Sequence, residues 1–211
     1  MDAKKFWDVI AHYNQDTWVI QAVFIFIIIF SAVMLYIRKN QWLLQIALGL
    51  TNLFIGIVFF LVYGTEPIQM FFAAPLFILA GLLFVIEGTM KRDNKFIKLS
   101  KIQLLLLFLI VFYPAISFLL GNSYPRIVLY IMPCPVASLS IVIYSCYKYK
   151  NKLLLILLTV WGLTGIKSFL FSVYEDVVLL ICGIFCLYIL IKEIRFDFKN
   201  RSAAHSKYNG Q

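Results

Sequence analysis

Pro133, Cys134 and Pro135 stand together inside a long apolar stretch, and a thiol between two helix-breaking residues is the first place where this chain could hold a ligand. Proline lacks the amide N–H and clashes with the carbonyl four residues back, so the pair predicts a helix opened at that level, with free carbonyls beside the thiol. Lys167 is the only basic residue well inside an apolar segment. A cation so placed reaches for the headgroups, pairs with an acid, or holds an anionic ligand. Glu66, Glu175 and Asp176 are the acids near the ends of such segments, and Pro75 and Pro114 mark two further expected helix breaks. Met132 and Cys134 carry sulfur of the kind copper(I) accepts, but burial as small apolar side chains is the simpler reading of Cys134, Cys146, Cys182 and Cys186. No metal or other cofactor is therefore expected.

Other chemistries lack their residues. His12 and His205 lie in terminal segments, so neither a helical zinc pair nor a deep Ser-His couple can form, and no glycine-rich phosphate loop occurs. Glu175 and Asp176 are adjacent, so they do not face each other across a helix surface; at the start of a helix their charge suits the dipole. The chain is not expected to be an enzyme.

The elements that must position these residues follow from composition. Of 211 residues, 63% are hydrophobic and 14% charged, at a mean hydropathy of +0.90, which is the profile of a multi-spanning membrane protein. Apolar segments of about twenty residues cover 18–36, 42–63, 68–87, 102–120, 127–146, 153–174 and 177–194, predicting an all-α integral membrane protein of seven transmembrane helices. Residues 1–17 read as an interfacial amphipathic segment, with Phe6, Trp7, Ile10 and Tyr13 on one face, and 195–211 as a basic cytoplasmic tail.

Of the 19 basic residues only Lys4, Lys5, Arg126 and Lys167 escape the loops and tail that alternate counting assigns to one side; the opposite loops carry Glu66, Glu175 and Asp176. The positive-inside rule then sets the amino terminus outside and the carboxyl terminus in the cytoplasm. The basic residues occur as short clusters between spans, so the net charge of +9 points to anionic headgroups rather than to nucleic acid. The lipid bilayer is the expected partner, and the layout leaves open a homo-oligomer and a cytoplasmic partner at the basic loops.

Depth brings scattered residues together. At about 1.5 Å per residue, Cys134 and Lys167 both fall roughly 10 Å below the outer surface, level with Pro75 and Pro114 and beneath the three acids. The expected site is an outward-facing vestibule for a small solute or ion, in a channel or transporter. The alternative is a membrane scaffold or sensor subunit acting through a protein partner.

Tyr13-Asn14 with Trp18 and Gln21, Leu120 to Pro125, Met132-Pro133-Cys134-Pro135 and Glu175-Asp176, in this order, resemble a family of small bacterial multi-spanning membrane proteins of unknown function. The likeness covers nearly the whole chain. In that family a proline often follows the tryptophan and precedes the Glu-Asp pair, where this chain has Val19 and Tyr174, and Lys167 is unusual for it. The resemblance implies a bacterial inner (plasma) membrane location and no activity.

Overall fold

The computed structural model describes residues 3–38, 40–168 and 173–208, without the side chains of residues 3, 4, 38 and 199–208. Lys39, residues 169–172 of the expected sixth span, and both chain ends lie outside the described residues. Those described are organised as helices, with no strand beyond isolated bridges.

Helix α1 spans Ala3–Arg38 without interruption. The described part of the segment read as interfacial, from Ala3, belongs to the same helix as the first span: Tyr13, Asn14, Thr17 and Gln21 lie one helical turn or a neighbouring position apart and form a buried face, so packing carries α1 straight through. α2 (Gln41–Phe54) continues as the π-helical turns Ile55–Val62, and a second π segment, Gln69–Ala73, leads into α3 (Ala74–Met90). Pro75 does not break this helix. It sits where π hydrogen bonding gives way to α, and the wider turn relieves the clash with the carbonyl behind it.

α4 (Lys101–Val111) begins at a capping box made by Ser100 and Gln103, and it meets α5 (Tyr113–Leu119) at a bend of 53°. Pro114, in the first turn of α5, is the cause, since it cannot donate back into α4. α6 spans Pro133–Ser145 and α7 Lys152–Leu163; α7 tightens into a 3₁₀ turn, Thr164–Lys167. A 3₁₀ turn at Tyr174–Asp176 opens α8 (Val177–Tyr208). The backbone of α8 is helical as far as Tyr208, and Lys150 and Lys152, just before and at the start of α7, pair with Glu193 and Asp197 of α8.

Lys5–Ile37, Gln41–Val62, Gln69–Met90 and Tyr174–Phe198 are each long and apolar enough to cross a membrane, and the bent α4–α5 pair makes a fifth if taken as one span. α6 and α7, with 13 and 12 residues, fall short of the roughly twenty a crossing needs. Phe26, Phe71, Leu104, Leu119 and Ile184 are among many large apolar side chains left exposed on the outer faces, as lipid contact requires.

Two glycine seams set the helix spacing. Gly49 on α2 faces Gly81 on α3, where a Cβ on Gly81 would lie 2.8 Å from the Gly49 carbonyl oxygen, while Gly56 in the π turns packs on Ile78 and Ala74 of α3 and Gly88 of α3 on Trp42 and Ile46 of α2. Gly162 of α7 and Gly183 of α8 meet backbone to backbone, where a Cβ on Gly183 would stand 2.4 Å from the Gly162 carbonyl carbon. Small residues permit such approach where hydrophobicity alone would not drive helices together.

The bundle has two chemically distinct ends. At one, Lys5 pairs with Glu66, Asp8 with Arg126, and Tyr63 donates to Asp16. At the other, Arg92 stacks over Trp42, the Phe96 amide donates to Gln41, Asn94 holds the Tyr149 backbone and Lys91 pairs with Glu87. Loops 64–68, 120–132 and 173–176 gather at the first end, and the basic connections at the second.

Candidate functional site

A cavity of about 350 Å³ opens at the end that carries Glu66 and the start of α1. Its walls come from α1 (Phe6, Ile10), the π turns of α2 (Phe59, Phe60), the segment from Glu66 to Ala73, the start of α6, the end of α7 and Asp176. Phe60 and Trp161 meet edge to face at 5.4 Å and Trp161 and Phe77 at 4.9 Å, an aromatic packing that stiffens the inner wall.

Of the residues predicted to form the site, Pro133, Cys134, Pro135, Lys167, Asp176 and Glu66 all line this cavity. Glu175, Pro75 and Pro114 do not. The mechanism by which the prolines act is different from that expected. Residues 127–132 are not helical, and Pro133 and Pro135 stand in the first turn of α6, where a missing N–H has no partner to lose. They start the helix rather than open it. Of the carbonyls that a break would have freed, that of Ile131 is engaged, since Tyr13 donates its hydroxyl to it at 2.6 Å, and the Met132 carbonyl makes the first helical bond, accepting from the Val136 amide.

The segment before α6 is tucked into the bundle by side chains far away in sequence. Asn14 donates to the carbonyls of Pro125 and Ile127, both at 2.8 Å, while Ser117 accepts from the Val128 amide. Gln21 in turn donates to Asn14 and Thr17. Buried backbone must find partners, and here α1 and α5 supply them. The sequence reading missed Tyr113, Ser117 and Asn122 as well, and polar residues beside Pro114 and in the loop after it were the only signal for them.

Asp176 is gripped on both oxygens: the Tyr113 hydroxyl donates to Oδ1 at 2.6 Å and the Cys134 thiol to Oδ2 at 3.2 Å. Glu175 points elsewhere and is buried, with Oε1 accepting from Ser117 at 2.7 Å and from Asn122 at 3.2 Å, and Oε2 without a partner among the described residues. Glu66 is paired with Lys5 at 3.2 Å. Lys167 therefore pairs with none of the three acids considered for it. It is exposed, and it lies in the 3₁₀ turn rather than deep in an apolar helix.

That turn is fixed by packing. A Cβ on Gly165 would meet the Leu180 amide nitrogen at 2.6 Å and the Asp176 carbonyl oxygen at 2.9 Å, so glycine lets the end of α7 lie directly on the start of α8. In a 3₁₀ turn residues three apart eclipse, which puts Thr164 and Lys167 in one row, and Trp161 precedes them by the same interval. All three line the cavity.

Both sulfur groups weighed as metal ligands are engaged within the protein, Cys134 by Asp176 and the Met132 sulfur by the Leu129 amide. Cys182 and Cys186 are buried in α8. Among the described residues no group of three or more His, Cys, Asp or Glu side chains is placed to hold a metal ion.

What the arrangement can do is enclose a small molecule against aromatic and aliphatic walls, with a cation, a thiol and a hydrogen-bonded carboxylate at its rim. No curated protein and no solved structure gives a significant match to the chain. Residues 3–201 match the model of one family, described as a family of unknown function (DUF6064), and the chain belongs to that family.

Proposed function

We propose that this is a seven-span protein of the bacterial inner (plasma) membrane, amino terminus outside, that takes a small solute or ion into an outward-facing site and conducts or transports it. The observation that carries this reading is the cavity itself, because it gathers predicted site residues from four separate stretches of chain at one end of the bundle. Its volume lies within the range of small-molecule sites. The seven-span count is supported by the alternation of charge. The basic connections collect at one end and the acidic loops at the other, with α6 and α7 completing the count when the tucked 127–132 stretch and the 3₁₀ turn are added to them.

Flux into proteoliposomes, measured over a panel of small organic acids, amines, neutral solutes and monovalent ions, tests transport. Uptake of one class, reduced in Cys134→Ala or Lys167→Ala, is the expected outcome. No flux across the whole panel refutes it.

The scaffold or sensor reading has one observation in its favour. α8 continues as a helix to Tyr208, beyond the apolar stretch that ends at Phe198, and so presents a basic helical extension on which a partner can dock.

A further inference from the structure

We infer that the cavity selects an amphipathic anion: a small molecule, or a lipid, with an apolar body and a single anionic head held by Lys167. This rests on the proposed solute-binding reading of the cavity and names the ligand class.

Charge accounting along the wall leads there. Four charged side chains stand at or beside the cavity. Glu66 is neutralised by Lys5. Asp176 has a donor on each oxygen, from Tyr113 and Cys134, which leaves neither oxygen bare. Lys167 has neither an ion pair nor a hydrogen bond among the described residues, and its three N–H donors are unmet. No acceptor of the described lining is bonded to the Lys167 ammonium, and the group best suited to it is a carboxylate or phosphate oxygen.

The rest of the wall fixes the other end of the ligand. Trp161, in the last α-helical turn of α7, lines the same cavity as Lys167, and Phe59, Phe60, Phe72 and Met132 surround that space. An ion without an apolar body would leave that surface facing water, and a purely apolar molecule would leave the ammonium without an acceptor. At about 30 Å³ for each heavy atom, the share water takes in the liquid, about 350 Å³ holds roughly twelve. Octanoate is a probe of that size with the required head.

The test is titration calorimetry of the unmodified protein in phosphatidylcholine nanodiscs, with empty nanodiscs subtracted, using octanoate, octylamine and octan-1-ol. Octanoate is expected to bind at least about tenfold more tightly than the other two. Lys167→Gln should erase that preference while leaving octanol binding unchanged, and Lys167→Arg should keep it. Equal binding of all three probes, or a preference for octanoate that survives Lys167→Gln, overturns the anion assignment and leaves the cavity as a solute site. Binding of none of them overturns both. Repeating the titration in nanodiscs containing phosphatidylglycerol separates the sources: loss of octanoate binding there assigns the head to a lipid, and its persistence to a free acid.

Discussion

Gly183→Ala is the perturbation with the most direct structural arithmetic. A Cβ on Gly183 would stand 2.4 Å from the Gly162 carbonyl carbon, 2.7 Å from its oxygen and 2.7 Å from the Leu163 nitrogen, whereas ordinary contact begins at 3.4 Å. The obstacles are backbone atoms, so no side chain can rotate away. α7 and α8 must separate by 3.4 − 2.4, or 1.0 Å, at this level. Forced overpacking of a well-packed contact costs about 1–3 kcal/mol, and the upper part of that range is expected where only helix displacement relieves it. The displacement also moves Trp161, Thr164 and Lys167 away from Asp176. Reversible unfolding in bicelles, followed by circular dichroism, reads the stability change. Gly162→Ala should give a similar loss, and the double variant should lose clearly less than the sum, because the first methyl already parts the helices. A Gly183→Ala protein within about 0.5 kcal/mol of the unmodified chain would refute the backbone contact.

Three other expectations follow from single contacts. Tyr144→Phe removes the donor to Glu87 Oε2 at 2.6 Å and the acceptor of the Asn151 amide, so the same unfolding assay should show a loss of about 2 kcal/mol. Asn14→Ala orphans the Pro125 and Ile127 carbonyls and should both destabilise by about 2 kcal/mol and increase proteolytic cutting between residues 120 and 132. Arg126→Ala deletes an ion pair with Asp8 that is largely exposed, and it should change stability by no more than about 0.5 kcal/mol.

The apolar segments and the sorting of charge were legible because hydrophobicity and lysine placement are properties of the chain alone. Counting depth from the segment ends also brought Cys134, Lys167, Asp176 and Glu66 to one place. The local cause was not legible. Ile127 to Met132 is as apolar as a helix would be, and what keeps it from being one is a set of partners on α1 and α5, Asn14 and Ser117 above all, remote in sequence. Pro133 and Pro135 then begin a helix, and proline reads the same in sequence whether it starts a helix or breaks one. Glu175 and Asp176 are neighbours, yet the 3₁₀ turn directs one toward Ser117 and the other toward the cavity. The α2–α3 glycine seam shows a further limit, since Gly49 and Gly81 gain meaning only once two helices are known to touch.

Labelling of Cys134 from outside is the most direct test of an outward-facing cavity. Cys146, Cys182 and Cys186 are replaced by alanine, and intact cells are treated with a membrane-impermeant maleimide. Cys134 is partly exposed at the cavity wall, and the expected result is labelling in intact cells that slows when a ligand fills the cavity. Labelling only after the cytoplasmic face is opened, or only after denaturation, would contradict the outward-facing site.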